Sequence, residues 1–430
     1  MQLVPAIPHA APSGAAPAIT PAVPAPRLVA AHFAAALFFF GCGSVELVWI
    51  APDLAAGLFY LPRVAAVVHL FTLGWIMLSI FGALCQFLPV AIGQELRSRV
   101  AAHLSLAAHV LGVIGLVSGL ATGKLALLVF GASALSLSFA TFALNLLATL
   151  VRATERSLTW WTLAAAALFL LVTPAFGTLL ALGPFVDGLV VERFALVGQH
   201  AHIAVVGVVL LVMVGVASRL LPMFLLSHGA SERFGKLAAG LLFTCAALLT
   251  LPIASTARLI AAHVFGVAGM LAFVVQAAAY FRHRKRRDID HGMRLAAAGV
   301  VALALAAALS PFALGRGLGD LNLLTTYYVV LLGGISLFVA GHYFKIVPFI
   351  VWYHRFGPHV GTRKVPKVAE LLPRPLARAG AALLPAGMLG LAVATLAGST
   401  AGVRAAAAVV AAGALAEIVA LARVAQRRLT

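Results

Sequence analysis

Four histidines lie inside segments too apolar to hold a charge cheaply: His69, His200, His202 and His263. An ionisable ring within a lipid-spanning segment is costly and marks a functional candidate. Neutral imidazole ligates heme iron and is a common copper ligand, so these residues point to heme or metal chemistry. His69 and His202 also share a pattern. Each precedes a proline by the same offset, 69→89 and 202→222, and that offset links Tyr328 to Pro348. In each copy a glycine stands seven before the proline (Gly82, Gly215, Gly341) and a polar residue three before it (Gln86, Arg219, Lys345). A fixed long period indicates repeated units; three copies imply related units around a pseudo-threefold axis.

Residues 200 and 202 are about 200° apart on a helix, so their rings do not readily face one site. His202 holds the repeat position and is the preferred ligand. His200 is expected to face a neighbouring helix, such as the one carrying His263. The candidates are therefore His69, His202 and Tyr328 around a cofactor, and His200, His202 and His263 around a metal ion.

The elements that must position these residues are membrane helices. The chain has 430 residues, 63% hydrophobic and 10% charged, with a mean hydropathy of +1.07. Soluble domains are nearer half apolar and a quarter charged. Many apolar stretches exceed the ~18 residues that cross a bilayer. Hydropathy and the Pro, Gly and charge breaks predict twelve helices, at 28–51, 62–91, 100–121, 125–151, 158–182, 192–226, 234–253, 257–281, 295–315, 321–352, 376–397 and 401–424. The expected fold is an all-α polytopic membrane protein of about twelve transmembrane helices in three pseudo-repeats of four. Helices two, six and ten carry the repeat and are the longest.

The net charge of +18 reads as loop charge that sets topology, not as a nucleic-acid surface, because it is spread between apolar segments. Only Arg63, Lys124, Arg193, Arg258, Arg316 and Arg404 fall on one side; the other loops and both ends carry the rest, apart from Arg219 and Lys345 within helices. The positive-inside rule then places both termini in the cytoplasm of a bacterial inner membrane, with helices two, six and ten starting outside. The block FRHRKRRDIDHGMR (281–294) serves this topology and also suits anionic lipid headgroups. Residues 1–27 are rich in Ala and Pro, lack aromatics and are expected to be a disordered tail without signal-peptide character.

The remaining polar residues favour structural roles. Cys42, Cys85 and Cys245 form no CxxC pair and read as core residues. His32, His103, His109 and His342 fall toward the cytoplasmic half; His9 lies in the tail, and His228, His283, His291, His354 and His359 lie in loops. Gln86, Arg219 and Lys345 are expected to form a polar layer whose long side chains snorkel to the interface. Glu46 and Glu417 are the interior carboxylates.

At these residues the chain resembles subunit I of the heme-copper oxidase superfamily, including cbb3-type oxidases and nitric oxide reductases. VHLFTLGWIMLSIFGALCQFLP looks like that family's second helix, which starts with a low-spin heme ligand; GQHAHIAVVGVVLLVMVGVASRLLP looks like its sixth, which carries a copper or non-heme iron ligand. The end of helix ten, GHYFKIVPFIVWYHRFGP, is similar as well. The resemblance implies twelve helices in three groups with cytoplasmic termini, and a b-type heme near the outer face. The chain departs from the family in three places. Tyr327 and Tyr328 stand where the tenth helix would carry histidines, helix seven has no histidine pair, and the paired arginines after helix eleven are absent. The resemblance thus implies the scaffold and a heme without a complete binuclear centre. Twelve-helix, heme-binding NnrS-like proteins of nitric oxide metabolism are a related resemblance.

The expected function is heme b binding, with copper or iron as the alternative metal, in electron transfer or in oxygen or nitric oxide binding. An oxidoreductase would draw electrons from a cytochrome or quinol, since no soluble carrier domain is present. A cofactor-free transporter or assembly partner on the same scaffold is the competing reading, and a terminal oxidase with relocated ligands a third.

Overall fold

In the computed structural model, which describes residues 26–227, 229–253 and 255–428, the chain is a bundle of helices with no strand among the described residues. The expected tail lies almost wholly outside them, as does His228. Twelve helices are long and apolar enough to cross a membrane: α1 Arg27–Trp49, α2 Pro62–Ile92, α3 Arg99–Thr122, α4 Leu125–Leu150, α5 Leu158–Leu182, α6 Arg193–Leu225, α7 Arg233–Thr250, α8 Thr256–Arg282, α9 His291–Gly319, α10 Leu321–Arg355, α11 Arg374–Leu396 and α12 Thr400–Gln426. The protein is an all-α, multi-pass membrane protein.

Burial separates the helices into two classes. Within their most apolar stretches, α2, α6 and α10 are 72%, 83% and 67% buried, whereas none of the others exceeds 50%. The three repeat helices therefore form the centre and the rest surround them. Neighbours in sequence pack as hairpins, α3 with α4, α7 with α8, α9 with α10 and α11 with α12, and the ring closes where α1 meets α12.

The repeated glycine explains how each central helix seats on the first helix of its group. A Cβ on Gly82 would lie 2.7 Å from His32 Cβ of α1. On Gly215 it would collide with the Thr162 hydroxyl of α5, and on Gly341 it would lie 2.6 Å from the Ala296 nitrogen of α9. Small residues let helix backbones approach closely where lipid supplies no hydrophobic drive. The same position does the same work three times.

The prolines of the repeat, Pro89, Pro222 and Pro348, lie inside their helices, as the predicted spans 62–91, 192–226 and 321–352 place them. Neighbouring helices in a membrane supply partners for the freed carbonyls, so interior proline is tolerated. The helix ends come later. Gly93 takes a left-handed φ of 68° after α2, the conformation glycine adopts without a Cβ penalty.

The polar layer expected from Gln86, Arg219 and Lys345 does not form as one layer. Arg219 is exposed on the bundle surface and Gln86 Oε1 is buried without a partner. Lys345 Nζ instead donates to Asp290 Oδ2 at 2.6 Å. Asp290 caps α9, its Oδ1 accepting from the Met293 N–H at 3.1 Å, which starts that helix four residues before its expected boundary. Burial alone would raise the Asp290 carboxyl, but the Lys345 hydrogen bond and charge, the Met293 N–H and Arg286 outweigh it and hold it below its usual value. A carboxyl lowered on folding stabilises the fold at pH above its unfolded value of about 3.9 and stops doing so as pH falls through its lowered folded value. Asp290→Ala is expected to cost about 1 kcal/mol at neutral pH as a lost cap. Its difference from wild type should shrink in melts as pH falls through the lowered value of that carboxyl.

Candidate functional site

Two of the three central helices change winding at the same repeat position. Immediately after His69, residues Leu70–Met77 of α2 form a π-helix; immediately after His202, residues Ile203–Leu210 of α6 do the same. The third copy, α10, runs as α-helix through Tyr328. π segments are rare and recur at functional sites. The α2 segment is held from outside: His109 of α3 places Nε2 3.1 Å from the Leu73 carbonyl oxygen and Nδ1 3.2 Å from Ser138 Oγ. That gives buried His109 a structural use.

The central helices present their site residues near the less basic face. His69 Nδ1 lies 2.7 Å from the Ala65 carbonyl oxygen and His202 Nδ1 lies 2.7 Å from that of Gly198. A back-bond to residue i−4 is a common helical habit here, made also by His32, His103, His283 and His342. What distinguishes the candidates is what lies beyond the ring. His202 Nε2 is 3.0 Å from the Tyr327 hydroxyl, and its ring is 5.9 Å from that of Tyr328. With Nδ1–H donated to Gly198, Nε2 accepts the Tyr327 O–H.

His69 meets His200, not His202. The two rings are 6.4 Å apart between centroids, with planes 29° apart. The Nδ1–H of His69, donated to Ala65, leaves its Nε2 lone pair free for a ligand. His200 Nδ1 is buried without a hydrogen-bond partner. Against His200, α5 presents Gly177, where a Cβ would come within 3.1 Å of His200 Cε1. The glycine thus gives the ring its place.

The expected divergence of residues 200 and 202 is seen, but the partners differ from expectation. His200 points toward α2, not toward the helix of His263. His263 Nε2 is buried without a partner on α8. Among the described residues no group of three or more His, Cys, Asp or Glu side chains could hold a metal ion, so His200, His202 and His263 do not form a joint ion site. Tyr328 lies 5.7 Å from Phe59, ring to ring. An aromatic chain continues through Tyr60 to Phe194 and caps this end. Neither the cap nor Gly177 was identified from sequence; no spacing marks them.

Beside this cluster is an apolar pocket of about 90 Å³ between α1, α2, α10 and α11. Val68 and Phe71 of α2, Tyr328 of α10 and Met388 of α11 contribute to its wall. The chain matches no protein-family model and no curated protein.

Tyr327→Phe removes the hydroxyl from His202 Nε2 and leaves a half-buried acceptor unpaired. The expected cost is about 1 kcal/mol, read as a lower midpoint in thermal melts of the detergent-solubilised chain. The His69–His200 pair should be unaffected.

Proposed function

We propose that this membrane protein binds a b-type heme through His69 and His200, on the side of the membrane opposite its basic loops, and serves electron transfer or the binding of oxygen or nitric oxide. The observation that carries the reading is the 6.4 Å separation of the two rings. Two metal–nitrogen bonds of about 2 Å, back to back, separate imidazole centroids by roughly 6 Å. The buried, unpartnered Nδ1 of His200 and the space left by Gly177 fit a ring held for a ligand. Two protein nitrogens favour heme over a bare ion, because the macrocycle brings four nitrogens of its own while structural zinc sites take about four protein ligands.

The residues have separable tasks in this reading. His69 is oriented by Ala65 and offers Nε2. His200 is positioned by α5. The aromatic cap of Phe59, Tyr60 and Phe194 shields the pair from water. Bound heme would supply one-electron chemistry, and gas binding would require one of the two histidines to leave the iron. The lone histidine–tyrosine contact of α6 and α10 serves as a structural neighbour. The distribution of basic loops supports a reading with both termini in the cytoplasm of a bacterial inner membrane, and in this reading a cytochrome or quinol is the electron donor.

Heme extraction and iron and copper analysis of the purified full-length chain, expressed with ample heme, test this. About one heme per chain is expected. Protein without heme, iron or copper refutes the reading and leaves the cofactor-free transporter or assembly partner.

A further inference from the structure

The second feature of the interior is an acid, far from the histidine pair in sequence and on a different helix. Glu417 lies in α12, nine residues from its end on the basic face, about 13 Å along the axis. It is fully buried, and neither carboxyl oxygen has a hydrogen-bond partner. It takes part in no ion pair among the described residues. By contrast Glu46, the other interior carboxylate of the sequence, is exposed on the bundle surface.

An ionised carboxylate without a partner is too costly to hold inside a membrane protein. The side chain is therefore a neutral acid carrying a proton. The helices packed against α12 are α1, α10, α11 and the short helix Ala51–Ala55. From α10, Tyr343 is within electrostatic reach of Glu417, but its hydroxyl is engaged with Ser79 Oγ of α2 at 2.8 Å. From α11, Gly380 lies alongside: a Cβ there would meet Gly413 O and Phe344 Cζ at 3.5 Å and the Glu417 nitrogen at 3.6 Å. Those are ordinary contacts, unlike the tight seats of Gly387 and Gly413 on the same interface. Gly380 is thus not required for helix approach.

We propose that Glu417 is an intramembrane proton-binding site that exchanges its proton with the basic face of the protein. The ligand is a proton and not a metal cation. A hard cation takes six or more oxygen ligands, and here a single carboxyl stands among apolar helices. The direction follows from depth: the basic end of α12 is nine residues away and the opposite end seventeen. This inference does not rest on the histidine site.

Infrared difference spectroscopy of the full-length protein in lipid, transferred from H2O to D2O, tests it. A carboxylic-acid C=O band that shifts in D2O and is missing from Glu417→Gln is the expected result. No band sensitive to that substitution, or one that fails to shift, overturns the proposal. Should Glu417→Gln not fold, labelling of the wild-type chain with an apolar carbodiimide, which reacts with protonated carboxyls, decides the question by peptide mapping. Modification at Glu417 supports it, and an unmodified Glu417 overturns it.

Discussion

His200→Ala is expected to lower the heme affinity of the protein by about 100-fold or more, while His202→Ala leaves it within a few-fold of wild type. Loss of a partner that only orients a ligand costs about 10–100-fold in metal affinity, so removing the ligand itself sets the larger effect. The two histidines are two residues apart on one helix, yet they have opposite surroundings. His200 faces His69 at 6.4 Å with a bare Nδ1. His202 has both nitrogens engaged, by Gly198 and by Tyr327. His69→Ala should match His200→Ala. Heme per chain, measured on fractions that elute as folded protein, checks all three. Equal occupancy in the His200→Ala and wild-type proteins would remove His200 as a ligand, and loss in His202→Ala alone would return the assignment to the repeat position.

Gly341→Leu is expected to destabilise the bundle by about 3 kcal/mol, the largest stability effect among the repeat glycines. Its neighbours are backbone atoms: the Gly292 carbonyl, and Ala296 N and Cα at 2.6 and 3.1 Å from an added Cβ. Backbone cannot rotate away, so α9 and α10 must separate and lose packing along their hairpin. Gly240 is the control, with nothing within 4 Å of its Cβ position. Gly240→Ala should be neutral or stabilising by up to about 1 kcal/mol. Thermal melts of the solubilised variants measure both, and similar midpoints for the two would show that close approach at Gly341 is not what holds α10.

These two cases mark what sequence carries and what it omits. The seven-residue offset of glycine from proline was legible, as were the twelve apolar helices. The role of the glycine was not, because it depends on which helix lies opposite. The same holds for His200. Its angle from His202 follows from helical periodicity, and the structure keeps that divergence. Which helix receives it depends on how twelve helices close into a bundle, and periodicity along one helix does not encode that. The repeat prolines were legible as interior positions, since the predicted spans ran past them, and in a membrane neighbouring helices satisfy the broken ladder. Gly177 bears no motif at all; it matters only because His200 lies against it. The π segments after His69 and His202 are equally silent in the sequence, since their residues are ordinary helix-compatible apolar types.

The central claim is that His69 and His200 together ligate one heme iron. Low-temperature electron paramagnetic resonance of the oxidised, full-length wild-type protein tests it most directly, because two axial imidazoles make ferric heme low-spin. A low-spin ferric signal accounting for the bound heme, lost in His69→Ala and in His200→Ala, is the predicted result. A purely high-spin heme signal, a copper signal alone, or a low-spin signal that survives both substitutions would contradict it.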